Sequence, residues 1–64
     1  MSCSYIVRFV RKDNKPDEEY YYPTLQDAQY HFGLFLDDDS NLYERIEIIN
    51  IAELQKLEAV HIFT

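Results

Sequence analysis

Only one stretch of this chain repeats its apolar residues at helical spacing, whereas four stretches are built of β-branched and aromatic residues. That ratio restricts the fold more than any other feature of the sequence. Leu25, Ala28, Phe32 and Phe35 recur at intervals of three, four and three, which places them on one face of a 3.6-residue helix. Pro23 stops whatever precedes it, because it has no N–H to donate to a ladder. Thr24 then opens the helix, its hydroxyl positioned to accept from the backbone N–H of Asp27, as in a capping box with Asp in place of Glu. The pattern predicts a helix running to about Leu36. Gly33 inside it costs about 1 kcal/mol relative to Ala, which suggests a close approach of helix to sheet at that point.

The strand stretches are Ser4–Arg11, Glu18–Tyr22, Leu42–Ile51 and Leu57–Phe63. Residues 12–17 (KDNKPD) join the first two as a turn, 37–41 (DDDSN) form a loop, and 52–56 (AELQK) a turn or one helical turn. The expected fold class is α+β, in the order ββαββ: one four-stranded, mostly antiparallel sheet with one helix packed on one face. With 64 residues, the chain makes a single domain, 1–64.

A helix of about 12 residues is about 18 Å long and covers one side of such a sheet. The other side should alternate to polar residues, yet every strand carries large apolar groups at both parities. Alternation assigns Tyr5, Val7, Phe9, Tyr20, Tyr22, Ile46 and Ile48 to the helix side. It assigns Ile6, Arg8, Val10, Tyr21, Tyr43, Arg45, Glu47 and Ile49 to the far side. A far side mixing Tyr, Arg and aliphatic residues has the composition of an interface core. The bland alternative is that a terminal segment folds over it, or that bulges turn some of these groups inward.

Chemistry is sparse. His31 and His61 are the only histidines and Cys3 the only cysteine, with no zinc-ligand spacing among them. No placed base accompanies the Cys3 thiol. Asp37, Asp39 and Asn41 match positions 1, 3 and 5 of a calcium loop, but Leu42 stands where the loop needs Gly and Ile48 where it needs a bidentate Glu. No catalytic residue, metal or cofactor is expected. Tyr20, Tyr21 and Tyr22 would suit base stacking, but Asp17, Glu18 and Glu19 precede them where a basic groove is needed.

The net charge is −6. Arg8, Arg11, Lys12 and Lys15 outweigh Asp13 in the first fifteen residues, while eleven acids face only Arg45 and Lys56 in the rest. Such a chain repels nucleic acid and anionic membranes, and no apolar run approaches the length that spans a bilayer. A lone thiol without a charged-then-apolar leader points to a cytoplasmic setting.

The strand–turn–strand–helix opening resembles the start of HicB-type antitoxins over about the first half of the chain. The Pro/Gly-containing segment that those proteins carry before the helix is missing, and no residue roles carry over. The sequence therefore predicts a small non-enzymatic protein-interaction module. Its partner is a second copy, as a homodimer, or another protein, with no direct contact to nucleic acid or membrane. The alternative is an acidic inhibitor or antitoxin-like protein that blocks a nucleic-acid-binding enzyme by charge mimicry.

Overall fold

A computed structural model describes residues 3–63. Its elements are β1 (Tyr5–Arg11), β2 (Glu18–Tyr22), α1 (Leu25–Gly33), β3 (Tyr43–Asn50), a 3-10 turn (Ile51–Glu53) and β4 (Lys56–Ile62). They form the expected α+β arrangement. All strand pairs are antiparallel, in the order β2-β1-β3-β4. The two hairpins thus lie side by side, with the two most apolar strands, β1 and β3, paired at the centre.

The turn between β1 and β2 closes through local polar chemistry. Asn14 takes the left-handed conformation (φ 63°) that Asn tolerates better than most residues, and the Asp13 carboxylate accepts from the Lys15 N–H. Arg11 donates to Asp13 (2.6 Å) and to Glu18 (2.8 Å), bracing the base of the hairpin. This pairing holds the Asp13 carboxyl well below the usual carboxylate range and keeps the guanidinium charged.

Thr24 caps α1 as predicted, its Oγ1 accepting from the Asp27 N–H at 3.2 Å. The helix lays Ala28 on the buried side chains of Val7, Phe9, Ile46 and Ile48, and Leu25, Phe32 and Phe35 pack around them. Its end differs from expectation. The helix stops at Gly33, and the chain continues in tighter turns, with Leu34 N–H donating to His31 C=O and Phe35 N–H to Phe32 C=O. Nor does Gly33 mark a close approach: a Cβ built there would have nothing within 4 Å. Its low helix propensity instead falls at the helix terminus, where the penalty is smallest.

Two bulges shape the sheet. Opposite the step from Val10 to Arg11, the register of β3 passes from Arg45 to Tyr43, leaving Glu44 as the extra residue. Tyr43 is therefore on the helix side, not on the far side to which simple alternation assigned it. Its ring centroid lies 5.2 Å from that of Phe9 and 6.4 Å from that of Phe35. In β4, Glu58 is the extra residue between Ala59, which opposes Ile48, and Leu57, which opposes Ile49.

Candidate functional site

The register fixes what the side of the sheet away from α1 presents. Reading across β2, β1, β3 and β4, one row is Tyr21, Ile6, Ile49 and Leu57. The next is Glu19, Arg8, Glu47 and Val60. The third sets Val10 beside Arg45 and Ile62. Seven of the eight residues expected here, Ile6, Arg8, Val10, Tyr21, Arg45, Glu47 and Ile49, do share this face, and Tyr43 is the exception. Leu57, Val60 and Ile62 join them. Alternation from Glu47 across to β4 could have found Val60 and Ile62 once the strand order was known, whereas Leu57 reaches this face only through the bulge at Glu58.

The middle of the face is a chain of alternating charges. Arg8 Nε donates to Glu19 Oε2 at 2.8 Å, and Arg8 Nη1 lies 3.6 Å from Glu47 Oε1. Arg45 Nε donates to Glu47 Oε2 at 3.1 Å, and its Nη1 reaches Glu44. The hydrogen bond to Glu47 raises the Arg45 pKa further. Extended backbone makes this chain possible, because residues at the same level of adjacent strands stand about 5 Å apart on one face. Charge thus crosses the sheet without any cation or carboxylate being left alone in the row.

Apolar groups flank the charges. Ile6 and Ile49 oppose each other and are only 7% and 6% exposed, whereas Tyr21, Leu57, Val60 and Ile62 around them are 55%, 50%, 45% and 61% exposed. Among the described residues no helix packs on this side. The face is accordingly neither a plain greasy sheet nor a solvated polar one. It has a closed apolar row, a charged row and an open apolar corner at β4.

On the helix side, His31 stands in an aromatic cluster. Its ring centroid is 4.8 Å from Tyr20, 5.2 Å from Phe9 and 5.6 Å from Phe35, and Nδ1 is 2.7 Å from the Tyr22 hydroxyl. Burial lowers the His31 pKa. The folded chain therefore takes up this proton less readily than the unfolded chain, whose imidazole titrates at about 6.5. Stability from this site is fully present above that pH and is lost as pH falls through the lower folded value. In urea titrations, the midpoint of wild type should drop between pH 7 and pH 5. His31→Gln, which can still hydrogen-bond Tyr22 but does not titrate, should show a shallower drop.

An open cleft of about 380 Å³ lies at the end of the sheet. It is lined by Tyr43, His61, Phe63, Leu36 and the loop residues Lys12, Asp38, Asp39 and Asn41 among others. Three of its polar side chains, Lys12, Asn41 and Asp38, are engaged. Lys12 Nζ donates to Asn41 Oδ1 at 2.7 Å, and the Asp38 carboxylate accepts from the Ser40 N–H and hydroxyl. That loop therefore organises itself through its own hydrogen bonds. Cys3 is exposed at the opposite end of β1, far from His61. Among the described residues no three His, Cys, Asp or Glu side chains converge in metal-binding geometry, and no helix is long and apolar enough to cross a membrane.

No family model, curated protein or solved structure matches the chain. The likeness of its opening to HicB-type antitoxins rests on pattern alone.

Proposed function

We propose that this domain is a non-enzymatic interaction module that self-associates through the open face of its sheet. The observation that carries this reading is the exposed apolar corner of Leu57, Val60 and Ile62 at β4, with exposed Tyr21 on the opposite edge strand, beside an internally neutralised charge row. Burying the apolar corner is favourable at about 25 cal/mol per Å². The paired charges lower the penalty of covering the row, because each already has a partner. Four strands at about 4.8 Å spacing and about 20 Å length give a footprint of about 400 Å² per copy. Two such footprints total about 800 Å², under the roughly 1,000 Å² of a stable interface, so the association is weak and transient.

Charge mimicry of nucleic acid draws less support. Of the twelve acids, Asp13, Glu18, Glu19, Glu44 and Glu47 are already engaged by Arg8, Arg11 and Arg45, which leaves no continuous acidic track on this face. The proposal also places the domain in the cytoplasm, on the strength of its single, exposed thiol.

Light scattering across the micromolar range tests the reading. Wild type should pass from one chain to two as concentration rises. Val60→Asp with Ile62→Asp, both exposed in the single chain, should weaken association by about a hundredfold while leaving the far-UV circular dichroism unchanged. A wild type that stays a single chain at high micromolar concentration would end the proposal.

A further inference from the structure

The two edges of the sheet are unlike. The order β2-β1-β3-β4 leaves β2 and β4 each with one unpaired side. A row of unpaired N–H and C=O groups is a template for a further strand unless charge, proline or a bulge guards it. β2 is guarded: it has only five residues, opens on Glu18 and Glu19, and follows Asp17. In β4 the guards stop at Glu58, the bulge residue. Residues 59–63 (AVHIF) beyond it hold no Asp, Glu, Lys, Arg or Pro, and their register is regular.

The ladder shows which backbone groups of this stretch are free. Phe63 N–H donates to Glu44 C=O at 3.1 Å, next to the Arg45–Ile62 pair. Along an antiparallel strand, residues alternate between aiming N–H and C=O at the neighbour and aiming them away. Ala59, His61 and Phe63 therefore aim theirs at β3, and Val60 and Ile62 aim theirs outward. The side chains of Val60 and Ile62 are exposed as well, on the open face of the sheet.

A second copy fits this edge in one register. A twofold axis perpendicular to the sheet runs the two β4 strands antiparallel. Outward groups must meet outward groups, so the axis passes at a residue and not between two. At Ala59 or Val60 it sets the bulge residue Glu58 against Val60 or Ile62 of the other copy. At Ile62 it leaves Ala59 and Val60 without partners from the stretch. At His61 the whole stretch pairs with itself: Ala59 opposite Phe63, Val60 opposite Ile62, and His61 opposite its own copy. Every outward N–H and C=O of Val60 and Ile62 is then bonded, and their exposed side chains become cross-strand neighbours.

We propose that two copies of this chain join β4 to β4, antiparallel about a twofold axis at His61, into one continuous sheet with four strands from each copy. Both helices lie on one side of that sheet and both open faces on the other. The contact goes beyond the open-face reading and does not depend on it, since it uses the edge and leaves the rows of Ile6 and Arg8 uncovered. With both contacts, assembly continues past two chains.

Disulfide trapping tests the register. The two copies of His61 form a non-hydrogen-bonded pair, with Cα atoms about 4.5 Å apart, a separation that a disulfide spans. In a Cys3→Ser background, His61→Cys should give covalent dimers under mild oxidation at least about tenfold faster than Val60→Cys or Ile62→Cys. Each of those two residues stands diagonally from its own copy, about 7–8 Å away. Chance collision would give the reverse order, because Val60 and Ile62 are more exposed than His61. A second measurement needs no thiol. His61→Glu, on the helix side, sets two carboxylates against each other across the axis and should weaken the pairing by about tenfold in light scattering. Tyr21→Asp alters the open face alone. Slow trapping at all three positions, fastest trapping at 60 or 62, or a His61→Glu variant that associates like wild type would overturn the edge pairing and leave the open-face reading standing. Trapping at 61 as expected, with Tyr21→Asp associating like wild type, would sustain the edge pairing and end the open-face reading.

Discussion

Phe9→Ala should leave the domain largely unfolded at 25 °C. Phe9 is 2% exposed and stands at the middle of β1. Its ring meets Tyr20 edge-on at 5.7 Å, Phe35 at 4.9 Å, and His31 and Tyr43 both at 5.2 Å. Truncating it removes the transfer energy of a full aromatic side chain and leaves a void bounded by four other rings. Such substitutions cost about 3–5 kcal/mol. A domain of this length has a total stability of about 3–10 kcal/mol, so the loss removes most of it. Phe9→Leu should retain much of the stability, since it keeps the site apolar and mostly filled. Urea titration followed by circular dichroism measures both. Self-association adds stability by mass action, so the variants are compared at one low concentration. A Phe9→Ala midpoint close to that of wild type would mean that the aromatic cluster is not the core.

Asn50→Ala should cost about 2–3 kcal/mol, a large effect for one polar side chain. Asn50 is the buried polar residue of the described chain, at 4% exposure, and both polar atoms of its side chain are engaged. Oδ1 accepts from the Ala52 and Glu53 N–H groups at 3.0 and 3.2 Å, capping the 3-10 turn. Nδ2 donates to Glu58 Oε2 at 3.0 Å. The residue therefore fixes the route from β3 into β4 from both ends, through the turn and through the bulge residue. That turn needs fixing, because Leu54 and Gln55 both sit in the left-handed region (φ 56° and 59°), which side chains of this kind disfavour. Asn50→Asp separates the two functions. It keeps the acceptor for the cap but sets a carboxylate against Glu58, so at neutral pH it should be about as unstable as Asn50→Ala. It should regain stability as pH falls through the carboxylate range. An Asn50→Asp variant as stable as wild type at pH 7 would show that the Glu58 contact contributes nothing.

The element order was legible because its signals are local. Pro23 ends β2, Thr24 caps α1 three residues before Asp27, and the apolar spacing of Leu25, Ala28 and Phe32 is helical. Of the eight residues assigned to the candidate face seven lie on it for a similar reason, since alternation holds wherever a strand is regular, whereas its β4 members were not assigned. It failed at Tyr43 because the bulge at Glu44 depends on how β3 pairs with β1, and no residue near it announces an extra position. The end of the helix was misplaced because Phe35 continues the apolar spacing through a turn that is no longer α-helical. Asn50 was missed although a signal existed: Asn followed three residues later by Glu53 is the pattern of a cap. The ion-pair chain could not be read in advance, because it needs the pairing of Arg8 with both Glu19 and Glu47 across two strand boundaries.

Backbone amide shifts recorded from dilute to concentrated protein would test most directly what the open side of the sheet is for. With association, the shifts that move with concentration should cluster at Ile6, Arg8, Tyr21, Glu47, Ile49, Val60 and Ile62, while those of α1 stay fixed. A spectrum that does not change with concentration, or changes confined to α1 and the cleft around Phe63, would contradict the account.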